Sequence, residues 1–150
     1  MNYTPFINSK TISHNFAFPM QLPEVHDQEH RIRSILGLKK GPVPKVKIEW
    51  LQIYYKYLAA SLTLPFDAQY TEEFDLNRKP AYSQVKVIAI LDPGENPARE
   101  DSGLICLVRK AEQEMKVPLV DLEVEEEHAN YQLLEDYWYW IWNWRFDPRI

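Results

Sequence analysis

Tyr131 to Trp144 is the segment that most constrains the fold. As a helix it carries Leu134, Trp138, Ile141 and Arg145 on one stripe and Leu133, Tyr137, Trp140 and Trp144 on another. A helix apolar on so many sides must bury most of its circumference, so the rest of the chain has to wrap it. Asn130 is placed to cap its start. Trp138, Trp140, Trp142 and Trp144 also alternate, so a final strand competes with the helix for the same residues.

The material to wrap it is present. Val46 to Leu62 reads as an amphipathic helix, with Trp50, Ile53, Tyr54, Tyr57, Leu58 and Leu62 at three- and four-residue steps. Pro65 lies just past its end, where a helix cannot continue. Strand patterns follow at Phe66–Phe74, Val85–Leu91 and Gly103–Val108. One or two more lie within Gln113–Glu125, bent at Pro118. The turn-rich run Asp92-Pro93-Gly94-Glu95-Asn96-Pro97 separates two of them. The pattern predicts an α+β domain: a small antiparallel sheet or partly open barrel packed against an N-terminal amphipathic helix and a C-terminal Trp-rich helix. The domain spans residues 45–150. Residues 1–44, with prolines at 5, 19, 23, 42 and 44, read as an extended arm holding a short helix from His26 to Leu36.

Charge narrows the function. The chain carries 17 Lys/Arg against 22 Asp/Glu, net -5, and the excess of acid lies after residue 50. An acidic body argues against nucleic acid, whose phosphates need basic partners. No apolar run is long enough to cross a membrane. Cys106 is the only cysteine and sits in a buried-strand pattern, which removes disulfides and thiolate zinc clusters. The N-terminus lacks the pattern of a signal peptide, and a cytoplasmic location is expected.

The acidic residues are patterned. Read with period two, Val120, Leu122 and Val124 face one way, and Asp121, Glu123, Glu125 and Glu127 face the other. Carboxylates two apart on a strand are about 7 Å apart at Cα. Asp121 and Glu123 are close enough to converge on one ion; the whole row is not. A hard cation such as calcium needs six to eight oxygens, so a second source is required. Asp67 and the loop residues Asp92, Glu95 or Asp101 are the candidates. The loop does not match an EF-hand, because its glycine and acids are in the wrong order. The competing reading is a solvated acidic face. Glu72, Glu73 and Asp75 precede Arg78 and Lys79 and read as local ion pairs.

Other chemistry is weaker. His26-Asp27-Gln28-Glu29-His30 matches H-x-x-E-H in form, yet no third ligand accompanies it, and it reads as a charged solvent-facing turn. No nucleophile motif and no phosphate-cradling glycine loop occurs, so no enzymatic activity is expected.

Three segments in order carry a family resemblance: Trp50-Leu51…Tyr54…Tyr57-Leu58 leading into Leu64-Pro65-Phe66-Asp67-Ala68; Val117-Pro118-Leu119-Val120-Asp121-Leu122-Glu123; and Asn130-Tyr131-Gln132-Leu133-Leu134-Glu135-Asp136-Tyr137…Trp140-Ile141-Trp142-Asn143. Over residues 46–145 the chain resembles the small bacterial calcium-binding proteins first described in cyanobacteria. The resemblance implies a small α+β calcium binder or buffer with an acidic patch for a site, and it carries over Asp67, Asp121 and Glu123 as ligands. The alternative is a metal-free protein-interaction or immunity-type protein, or a homodimer, using the N-terminal arm and the Trp-rich C-terminal segment, with Trp138 and Trp142 as the partner-binding residues.

Overall fold

The computed structural model describes residues 18–72, 81–96 and 102–145, with side chains described from residue 27 onward in those ranges. These residues form three α-helices and a five-stranded sheet. The order is α1 (Phe18–Ile35), α2 (Ile48–Ser61), β1 (Phe66–Glu72), β2 (Ala81–Ile90), β3 (Ile105–Lys110), β4 (Gln113–Pro118), a single 3-10 turn (Leu119–Asp121), β5 (Leu122–Glu123) and α3 (Tyr131–Trp144). The sheet is open and antiparallel in the order β4-β3-β2-β1-β5. This is the expected α+β class, with the open sheet realised and the last segment helical. None of the described helices is long and apolar enough to cross a membrane.

Period-two alternation divides the sheet into a core face and a wet face. Cross-strand register places Ala68 opposite Val85, Phe66 opposite Val87, Val87 opposite Val108, and Cys106 opposite Val117. All seven of these side chains are buried. The register slips between Val87 and Ala89, so β2 carries one extra residue there and bends. On the wet face a charged row crosses the sheet: Asp67 pairs in register with Lys86, Lys86 with Arg109, and Arg109 with Glu114.

The helices cover the core face. Tyr54 of α2 stacks on Trp140 of α3 at 5.1 Å between ring centroids and meets Tyr137 edge-on at 5.3 Å. Trp140 Nε1 donates to the Pro44 carbonyl at 2.8 Å, which satisfies the one polar atom of a fully buried ring. The stripe of α3 that carries Tyr137 and Trp140 therefore packs on α2.

The arm departs from its expected form. The short helix expected at 26–36 is the C-terminal part of a longer one that begins at Phe18. Pro19 falls in the first turn, where no intrahelical bond is lost. Ile32, Leu36 and Val43 are buried in the same core as Val46 and Leu51. Residues 1–17 lie outside the described residues.

Asn130 also departs from expectation. It occupies the cap position of α3, but its side chain makes no capping bond. Instead Oδ1 accepts the Thr63 N–H at 2.9 Å, and Nδ2 donates to the Thr63 carbonyl at 3.0 Å. This buried amide ties the end of α2 to the start of α3.

Candidate metal centre

Pro118 ends β4, and the chain makes its 3-10 turn before β5. The continuous acidic strand read from Val117 to Glu127 is therefore broken. Glu123 lies on β5, opposite Gln69 of β1. Asp121 belongs to the turn before it, and Glu125 to Glu127 lie exposed in the loop after it. The physical reason is local. The ring fixes the Pro118 backbone at φ -65°, and the segment turns there, with the Leu119 N–H donating to the Leu104 carbonyl at 2.9 Å.

The break brings Glu123 toward α3. A shallow groove between β5 and the first turns of α3 is lined by Glu123, Tyr131, Glu135 and Trp138 over Leu122 and Leu134. The Tyr131 phenol is held well above its usual range, first by burial and then by the charges of Glu135, Glu126 and Glu123. Two carboxylates, Glu123 from β5 and Glu135 from α3, line the groove beside that phenol. Glu135 was not singled out by the sequence as a ligand. Its three-residue spacing from Trp138 is the signal that places both on one helix face.

The five expected ligands are not gathered into one shell. Asp67 is paired with Lys86 (Nζ to Oδ1, 3.0 Å) on the wet face and is 77% exposed at its side chain. Asp92 turns its carboxylate inward on its own loop, where Oδ1 accepts the Gly94 N–H at 2.8 Å. Its carbonyl accepts the N–H groups of Glu95 and Asn96. Glu123 aligns through Gln69 with Gln84 of β2. Asp92 and Glu95 lie beyond the far end of that strand, on the order of 20 Å away by strand rise. Among the described residues, no three His, Cys, Asp or Glu side chains stand close enough together to hold an ion. Asp101, Glu73, Asp75, Arg78, Lys79 and the His26 side chain lie outside the described residues.

The donor chemistry nonetheless suits calcium. Glu123 and Glu135 offer carboxylate oxygens beside the Tyr131 phenol, and calcium accepts irregular oxygen shells.

Other candidates resolve into structural roles. Trp138 is 9% exposed and packs on Trp142 with centroids 5.6 Å apart. The Arg145 guanidinium lies 4.2 Å from the Trp142 ring centre, within the range of a cation–π contact. Glu29 accepts a hydrogen bond from the Tyr139 hydroxyl at 3.0 Å, so the H-x-x-E-H acid serves helix packing. Burial pushes the Cys106 thiol up, away from thiolate chemistry.

Three helices against an open five-stranded sheet, with a carboxylate-lined groove at the sheet edge, define a small α+β domain. A sequence profile of the CcbP family, described as calcium binding, matches residues 46–141, more than half of the chain, and the protein belongs to that family. The crystal structure of Anabaena CcbP superposes with a TM-score of 0.58 at 18% identity, covering 77% of this chain and 89% of that one. A calcium-binding protein in its calcium-binding form superposes at 0.59 with 20% identity and the same coverage. At that identity the likeness establishes the shared fold. No curated protein matches the chain.

Proposed function

We propose that the protein binds calcium in the groove between β5 and α3, acting as a cytoplasmic buffer or signalling protein and not as a catalyst. Calcium is the ligand of its family. The observation that supports the location is the groove itself, which Glu123 of β5 and Glu135 of α3 line together beside Tyr131. Glu123 and Glu135 supply the fixed carboxylates, one from a strand and one from a helix. Glu126 and Asp121 supply oxygens from the flanking turns. Asp67 is a reserve ligand on the same side of the sheet edge, and it joins only by releasing Lys86. Asp92 and Glu95 belong to a separate, weaker position at the far end of β2.

The exposed loop donors favour calcium over magnesium, which demands a tight octahedron and gives up its waters reluctantly. Calorimetric titration with each ion tests the reading. Calcium heat that is lost in the Glu123→Gln, Glu135→Gln double variant supports the groove. Heat that survives in that variant and disappears with Asp92→Asn and Glu95→Gln moves the site to the β2 loop.

A further inference from the structure

We propose that α1 is a positioning clamp for this calcium groove, with Gln28 and Arg31 holding the turn of α3 that presents Glu135, so that calcium binding and α1 docking are coupled. The inference rests on the groove being the calcium site. Glu135 and Asp136 are neighbours on α3 and project about 100° apart around the helix. Glu135 lines the groove; Asp136 faces α1. The Arg31 guanidinium grips Asp136 with two bonds, Nε to Oδ2 at 2.8 Å and Nη2 to Oδ1 at 3.0 Å. Gln28 Nε2 spans both residues, donating to Asp136 Oδ1 at 3.1 Å and to the Glu135 carbonyl at 3.4 Å. Gln132, one turn earlier, donates to the same Asp136 oxygen at 3.0 Å.

One turn of α3 therefore carries the groove residues Tyr131, Leu134 and Glu135 on one side and the anchor of α1 on the other. Asp136 is 2% exposed, and a buried carboxylate stripped of its partners must reach water. Undocking α1 removes the bonds to Asp136 and to the Glu135 carbonyl that fix that turn, so Glu135 is held less firmly, and a cation held by Glu135 favours the docked arrangement. By reciprocity, α1 docking strengthens calcium binding by the same factor that calcium strengthens docking. Gln28 and Arg31 both lie outside the 46–141 span of the family match, so the clamp is carried by the arm of this chain.

The test is amide hydrogen exchange of the full chain with and without calcium, together with calorimetry. Calcium is expected to slow exchange in the 27–35 part of α1, and the double variant Glu123→Gln, Glu135→Gln to abolish that slowing. Arg31→Ala should weaken calcium binding roughly fivefold or more, within the usual range of coupling between sites, and Arg31→Lys should recover part of it. Val108→Ala, destabilised in the β3 core and remote from the clamp, should keep wild-type affinity. Should Arg31→Ala fail to fold, exchange in the wild-type protein decides alone. Calcium heat with unchanged α1 exchange overturns the clamp and leaves the groove standing. Absence of calcium heat in the wild-type protein overturns the groove reading, and the coupling falls with it.

Discussion

Arg31 and Asp136 join the first helix to the last through a two-pronged ion pair whose carboxylate is almost wholly buried and whose guanidinium is 40% exposed. Arginine suits this site because its planar fork matches both carboxylate oxygens at once. Removing the cation leaves a buried charge with only two amide donors. Arg31→Ala is expected to cost about 3 kcal/mol, the lower end for breaking a buried pair, since the partly exposed guanidinium loses less on dissociation. Asp136→Asn in the same background should recover part of the loss. Denaturant unfolding measures both.

Gly103 and Tyr137 meet where β3 begins. The Tyr137 hydroxyl accepts the buried Leu104 N–H at 2.8 Å. Gly103 has φ 75°, and a methyl group there would overlap the Tyr137 hydroxyl and press on Ile141. Gly103→Ala combines left-handed backbone strain with a clash against packed side chains. It should destabilise by more than about 2 kcal/mol, a large single-site effect. Tyr137→Phe keeps the ring and orphans the Leu104 N–H, at a cost of about 1–3 kcal/mol. Thermal unfolding of the two variants gives the comparison.

Two tyrosines set an alkaline limit. Burial holds the phenols of Tyr54 and Tyr137 far above their ordinary value of 10.0. In the unfolded chain they ionise near that ordinary value, while in the fold they stay neutral. Their contribution is complete below pH 10 and is lost as pH rises above it, by about 1.4 kcal/mol per pH unit for each tyrosine. Tyr54→Phe should remove one tyrosine's share, about 1.4 kcal/mol per pH unit, from the total slope. The Tyr54 hydroxyl has no hydrogen-bond partner among the described residues, so the same change should be neutral or stabilising at pH 7. Unfolding free energy followed from pH 8 to pH 11.5 tests both statements.

Much of the fold was legible because its signals are local. The three- and four-residue spacing from Trp50 to Leu62 and the doubled stripe from Leu133 to Trp144 are satisfied by α2 and α3 almost to the residue. The alternation in Val85–Leu91 and Gly103–Val108 marks β2 and β3, and Pro118 does bend the acidic segment. The clamp was not legible, because Arg31 and Asp136 are far apart in sequence and each reads alone as a surface charge. Nor was the groove. Period two predicted a straight row of carboxylates, whereas the 3-10 turn at Leu119–Asp121 breaks the row. Only the docking of α3 beside β5 brings Glu135 to Glu123. The pairing of Asp67 with Lys86 needed the strand register, which residue spacing alone does not supply.

The most direct measurement is calorimetric titration of calcium into the wild-type protein and into the Glu123→Gln, Glu135→Gln variant. The groove assignment predicts a calcium heat in the first that is absent from the second, with both proteins folded. An undiminished heat in the folded double variant, or none in the wild-type protein at millimolar calcium, would contradict it.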